Sequence, residues 1–287
     1  MEHSQEEFIL EKLRSTYNTI EPPKSTELLH LREGVNYLDR DTSLAILGKE
    51  SLTSTNKELV VKNYDQDGYK QSFREYLIGL QIINPLRKIT PCFLHTLGAL
   101  RHGPTNTSII YERINGTTLS VMLQEGLSFD AWLSLFMQVL LSLEVAQRRT
   151  GFTHYDLHAG NVVVRESDGD NYSIPLDFLS YQVCEPALVP VIIDLGTSST
   201  VLDGRFIGAY DYTNSGIFHF VVAGHDMYKL MVSSYCNAKR SDTRREILKL
   251  FKFFDPEDPY KISGGQGSAG IAKAQKEFCK DVLFSKV

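Results

Sequence analysis

The chain has 287 residues, enough for one large domain or two lobes with an ample core. A hydrophobic share of 42% and a charged share of 23% suit an ordinary globular protein, and a net charge of −5 without a basic run argues against nucleic acid as a main partner. Cys92, Cys184, Cys236 and Cys279 lie far apart without metal-type spacing, a pattern of reducing compartments; the polar, acidic start at residues 1–7 is no signal peptide, and no apolar run reads as long enough for a membrane span.

In chain order, residues 5–19 predict a helix, with Phe8, Ile9, Leu13 and Tyr17 near one stripe and Pro22-Pro23 ending it. Residues 43–48 and 58–64 predict strands around a Ser/Thr-rich turn. Residues 72–83 predict one amphipathic helix, with Phe73, Leu77 and Leu80 at helical spacing. Residues 108–116 predict a strand that ends in an Asn-Gly turn. The strongest helix signal spans 128–150: Ser128 is a good N-cap, Gly151 a good terminator, and Trp132, Leu135, Phe136, Val139, Leu140 and Leu143 form a wide apolar face. Residues 162–165 predict a strand and 167–170 its turn. Residues 171–190, with three aromatics and three prolines, predict a structured excursion before the apolar strand 191–193. A helix starts near Gly224, further helical content lies at 241–254 and 268–284, and the Gly-rich stretch 263–267 reads as a linker.

Two short motifs carry chemistry. His154-Tyr155-Asp156-Leu157-His158-Ala159-Gly160-Asn161 sets an Asp five residues before an Asn, and Asp194-Leu195-Gly196 follows about thirty residues on. Either alone is weak, because Asp and Asn abound in turns. Together their order, spacing and apolar flanks resemble the catalytic and metal loops of the protein-kinase-like superfamily. Tyr155 stands where many members carry an Arg that reads a phosphorylated loop, and His158 where Ser/Thr kinases carry Lys. The Asp-Leu-His-x-x-Asn form is similar to aminoglycoside and choline phosphotransferases and to divergent kinases of large DNA viruses.

The resemblance implies an α+β, bilobal fold: a helical extension over 1–40, a small mainly β lobe with one C helix over 41–115, and a minimal, mainly helical lobe over 116–287 with an insertion about 166–190. It implies Asp156 as base toward the acceptor hydroxyl, and Asn161 and Asp194 as ligands of Mg²⁺. It implies Lys62 on the ATP phosphates and Glu75 as its ion-pair partner, although a Lys on a strand is by itself far more often simply exposed. Tyr111 falls at the gatekeeper position, with Glu112 and Ile114 offering backbone groups to adenine. Asp226 falls where the family braces its catalytic loop. Thr197 to Thr200 read as loop filler rather than a phosphorylation switch, given Tyr155. The glycine-rich phosphate loop is missing: only Gly48 is present, followed by Lys49 to Ser54.

Three functions remain open in the sequence. The first is an ATP- and Mg²⁺-dependent kinase acting on a Ser/Thr hydroxyl of a protein; the second is a small-molecule kinase; the third is a pseudokinase scaffold, favoured by the missing glycine loop. The joint presence of Lys62, Glu75, Asp156, Asn161 and Asp194 ranks the enzyme readings first. The expected setting is the cytoplasm or another reducing compartment, or the host cell or virion for a viral chain.

Overall fold

The computed structural model describes residues 5, 7–9, 11–12, 46–49, 58–64, 69–102, 106–167, 169, 171–176, 180–183, 187–208 and 224–254. The chain divides into two units. The first comprises Met1–Lys88 and Phe93–Ile114, the second Ile89–Cys92 and Asn115–Val287. The described residues between 5 and 12 are helical, with Phe8 and Ile9 buried. The rest of the expected first helix, the Ser/Thr-rich turn at 51–54, and the linker and helix expected beyond 254 lie outside the described residues.

The first unit is built on an antiparallel sheet in the order β1 (Ile46–Lys49), β2 (Glu58–Tyr64), β4 (Asn106–Glu112), β3 (Thr96–His102). Val61, Ile109 and Ile110 are buried, the apolar content expected of central strands. Helix α1 (Tyr69–Ile78) follows β2. The single helix expected over 72–83 instead breaks its hydrogen-bond pattern: α1 passes into a π-helical turn at Gly79–Ile83 and then into α2 (Asn84–Arg87). The cause is local. A Cβ on Gly79 would lie 2.2 Å from Oγ1 of Thr96, so only glycine permits this approach. Asn84 then holds the same residue, donating to the Thr96 carbonyl at 2.8 Å and accepting from its N–H at 3.0 Å. A π turn lets both contacts form without ending the helix.

The second unit has more helix. Its long helix α4 (Phe129–Thr150) follows β5 (Gly116–Thr118) and α3 (Leu119–Glu125). Ser128 caps α4 by accepting from the Ala131 N–H at 3.3 Å, and Gly151 ends it at φ 62°. Both caps were legible in the sequence. Trp132, Leu135, Phe136 and Val139 are buried, and Trp132 stacks on Phe136 with centroids 4.8 Å apart. At 22 residues α4 is also long and apolar enough to cross a membrane, unlike the sequence expectation. Its buried apolar face and the Ser142 and Gln138 side chains, both buried and hydrogen-bonded, give it the character of a core helix.

Strands β5, β6 (Val162–Glu166) and β9 (Leu188–Ile192) form one antiparallel sheet, and β7 (Tyr172–Pro175) and β8 (Ser180–Val183) a separate hairpin. Among the described residues, β7 therefore pairs with β8 and not with β6, which is paired by β9. The excursion is instead tied to α4, with Tyr172 donating through its hydroxyl to Oε1 of Gln138 and Ile174 fully buried. The turn expected at Asn115-Gly116 is also corrected. Gly116 begins β5, and a Cβ there would lie 2.2 Å from the Val164 carbonyl oxygen. Its glycine serves close strand approach rather than a turn. Beyond β9 come a short hairpin, β10 (Thr200–Leu202) and β11 (Arg205–Ile207), and helices α5 (His225–Asn237) and α6 (Ser241–Phe254). The hairpin turns on Asp203-Gly204, both at positive φ, the commonest two-residue signal for such a turn. The rings of Tyr228 and Phe251 meet 5.1 Å apart where α5 and α6 pack.

Gly116→Ala should force β5 away from β6. We expect a loss of about 1–3 kcal/mol in urea unfolding; a variant as stable as the parent would disprove the close approach.

Candidate active site

In the first unit, Lys62 and Glu75 come together as the sequence suggested. Lys62 Nζ lies 3.1 Å from both Glu75 carboxylate oxygens. The pairing follows from register: Lys62 lies mid-strand in β2 opposite Ile109, and Glu75 projects from α1. Two further donors, which the sequence reading left out, converge on the same carboxylate. Tyr111 donates to Oε1 at 2.6 Å, and Tyr64 donates to Oε2. Glu75 is fully buried, so these donors replace the water it has lost. Tyr64 stands two residues after Lys62, and that i, i+2 spacing on one strand face is the signal that could have found it. Tyr111, assigned the gatekeeper position, thus acts through its hydroxyl.

Glu112 and Ile114 lie at the end of this unit. The Glu112 N–H donates to the His95 carbonyl at 3.1 Å, while its carboxylate accepts from the His95 N–H at 2.9 Å and pairs with Arg87. Glu112 therefore fixes the chain locally before Ile114, at which the unit ends.

In the second unit, residues 154–161 form a loop whose backbone is held from several sides. Tyr155 takes φ 64°, a left-handed conformation that is costly for a bulky residue. The first turns of α5 stabilise it. Asp226 accepts from the His154 N–H at 2.7 Å and from the Tyr155 N–H at 2.9 Å. Lys229 donates to the Tyr155 carbonyl at 3.2 Å, and His225 Nε2 lies 3.3 Å from the same oxygen. Ser233 accepts from the Ala159 N–H at 2.8 Å. Residues 225, 226, 229 and 233 share one helix face, so a single helix grips the loop. The Tyr155 side chain, in place of the family's Arg, is buried and packs on His225 with ring centroids 5.1 Å apart.

The three residues expected to carry chemistry lie on or beside this loop. Asp156 is half-exposed; Lys229 pairs with its Oδ1, and His158 Nε2 lies 3.9 Å from its Oδ2. Asn161 donates its amide N–H to the Asp156 carbonyl at 2.9 Å, which turns its amide oxygen away from that carbonyl. The Ile193 N–H donates to the Asn161 carbonyl at 3.0 Å, which ties the segment just before Asp194 to the loop. Asp194 is exposed and left-handed at φ 63°, and its Oδ1 accepts from the Gly196 N–H at 3.4 Å. An amide oxygen and an exposed carboxylate are hard donors that fit Mg²⁺, a metal that takes few protein ligands and leaves room for phosphate oxygens.

His158 folds back over its own loop. Its Nδ1 accepts from the Gly160 N–H at 3.0 Å, and a Cβ on Gly160 would meet the ring at 2.8 Å. The neutral ring therefore carries its proton on Nε2, toward Asp156. Burial pushes the His158 imidazole below its ordinary pKa, against the opposite pull of Asp156. Burial does the same to His225, opposed by Asp226.

Three of the four hydroxyls after Asp194 also find partners. Thr197 and Ser198 donate to the His154 carbonyl at 3.0 and 3.5 Å, and Thr200 to the Thr150 carbonyl at 2.8 Å. Ser198, Ser199 and Thr200 are fully buried.

No family model matches the chain. A probable kinase of Invertebrate iridescent virus 3 is 31% identical over 223 residues, spanning 73% of this chain and 40% of that protein. The likeness to that viral probable kinase thus runs along most of this chain. Two uncharacterized iridescent-virus proteins are also similar to this chain. One, from Invertebrate iridescent virus 6, is 26% identical over 89% of this chain and 23% of its own length. The other, from Invertebrate iridescent virus 3, is 28% identical over 47% of this chain and 26% of its own. The chain thus spans well under half the length of these curated relatives. A kinase domain known from a crystal structure aligns with a TM-score of 0.44 and 15% identity, over 75% of this chain and 67% of that one.

Lys62→Met would leave the buried Glu75 carboxylate with two phenols alone. We expect a stability loss of about 1.5–3 kcal/mol in urea unfolding; an unchanged midpoint would mean that the pair is not formed in solution.

The pH dependence follows from the two imidazoles. Each is lowered in the folded chain, so the unfolded chain binds its proton first as pH falls. The stability they contribute above the free-histidine pKa of 6.5 is therefore lost on acidification. The melting temperature should fall from about pH 7.5 to about pH 5.5, and by less in His225→Gln. An equal fall in that variant would rule out His225 as a source.

Proposed function

We propose that the chain is an ATP-dependent phosphotransferase, a divergent serine/threonine protein kinase that moves the ATP γ-phosphoryl group to a protein hydroxyl. The observation that supports this most is the joint fixing of Asp156 and Asn161: the amide that anchors Asn161 to the Asp156 carbonyl also presents its oxygen for a cation. The kinase-named viral relative adds to it. Lys62, held by Glu75, would serve the phosphates of the nucleotide, and the backbone groups of Glu112 and Ile114 would serve its base. Asn161 and Asp194 would hold Mg²⁺, which offsets charge on the phosphates when bound.

In the transfer step the acceptor oxygen forms a bond to the γ-phosphorus as the bridging bond to the β-phosphate breaks, and ADP leaves. Asp156 orients the acceptor hydroxyl and receives its proton on the carboxylate oxygen that Lys229 does not hold. The protein's part is positioning and electrostatics.

A small alcohol as acceptor is the second reading. The imidazole of His158 beside Asp156 favours it, because that side of the carboxylate carries a neutral ring instead of a lysine. Radiolabelled ATP with Mg²⁺, offered a protein mixture and separately a panel of small alcohols, tests both readings. Label on protein supports the first and label on an alcohol the second; no nucleotide binding and no label in either would leave a non-catalytic scaffold.

Asp156→Ala should leave ATP affinity near the parent value and lower the transfer rate by about 10²–10⁴-fold. Asp194→Asn should abolish Mg²⁺-dependent turnover while the melting temperature holds, since Asp194 is exposed. Lost nucleotide binding with intact transfer in Asp156→Ala would mean that the loop has another role.

A further inference from the structure

Lys229 is a lysine on a helix face that is otherwise given to bracing backbone. It is buried, its ammonium donates to the Tyr155 carbonyl, and it forms an ion pair with Oδ1 of Asp156. A buried lysine is costly to retain without a partner that needs its charge. The Tyr155 carbonyl does not need it, because His225 Nε2 lies 3.3 Å from the same oxygen and can donate there as a neutral ring. The Asp156 carboxylate is the group on which the charge acts. Its two oxygens are thereby made unlike: Oδ1 is tied to a buried cation, while Oδ2 lies on the side of the half-exposed His158.

We propose that Lys229 is a positioning residue for phosphoryl transfer. It clamps one oxygen of Asp156 and so presents the other to the acceptor hydroxyl. The cation on the acceptor side of the site then comes from helix α5, seventy-three residues after Asp156, rather than from the loop itself. The inference rests on the kinase reading. It assigns Lys229 no contact with nucleotide, so its removal should act on kcat and not on the KM for ATP.

The test uses the full chain, [γ-³²P]ATP with Mg²⁺, and whichever acceptor the wild type labels. Lys229→Gln keeps a donor for the Tyr155 carbonyl and most of the bulk but removes the charge. It should lower kcat about 10²-fold, leave the KM for ATP within about threefold, and melt near the wild type. Lys229→Arg, which keeps the charge, should stay within about tenfold of the wild-type kcat. In an Asp156→Ala background, Lys229→Gln should have little further effect, because its partner is gone. A Gln variant at wild-type rate overturns the proposal, as does an Arg variant no better than Gln. A Gln effect of full size without Asp156 likewise overturns it, because it would assign Lys229 a role that bypasses that carboxylate. Wild-type protein that labels neither protein nor alcohol overturns the kinase reading and this inference with it; wild-type transfer with an indifferent Lys229 overturns this inference alone.

Discussion

The loop at 154–161 keeps Asp156 and His158 half-exposed while its backbone and most of its side chains run through the interior, and that conflict organises the second unit. Residues 154–161 bury His154, Tyr155, Leu157, Ala159 and Asn161 and force Tyr155 into a left-handed conformation. Their N–H and C=O groups cannot all be met by a regular ladder. Helix α5 meets them with side chains from one face, Asp226 alone satisfying two consecutive N–H groups. The bond from Ile193 to Asn161 and the bridge between Thr153 and Ser199 close the other side. Much of what surrounds the loop exists to keep α5 in place, including its packing on α6 and the hydrogen bond from Ser120 in α3 to Asn237.

The first unit solves a different problem with the same physics. A carboxylate with no exposed surface is tolerated only when its oxygens are fully engaged. Glu75 has an ammonium and two phenols, drawn from β2 and β4. Tyr64 and Tyr111 thus bind α1 to the sheet through a polar contact inside an apolar layer. Letting Glu75 swing away would leave two phenols and a lysine to be satisfied elsewhere, so the helix is held in one position more firmly than a lone ion pair would hold it.

The sequence made the framework legible where a local signal was strong. The caps of α4 could be read from local spacing, whereas the pairing of Lys62 with Glu75 and the bracing by Asp226 were implied by the family resemblance. Other features depended on contacts between distant segments. Nothing near Gly79 announces that Thr96 will press against it, so a continuous helix was the natural reading of 72–83. Gly116 follows an Asn and looks like a turn, until Val164 is found across the strand. Lys229 was hidden because a lysine in an amphipathic helix is usually a solvent-facing residue; only the alignment of 225, 226, 229 and 233 along one face could have singled it out. The Asp203-Gly204 turn, by contrast, carries a plain local hairpin signal.

The buried hydroxyls after Asp194 bear on how such a protein could be controlled. Ser198 and Thr200 are hydrogen-bond donors inside the fold, holding the carbonyls of His154 and Thr150. For another enzyme to reach them, this stretch would have to open first. A phosphate left behind would also replace a donor with a bulky dianion where an acceptor already stands. Covalent marking of this segment would therefore loosen the loop it supports.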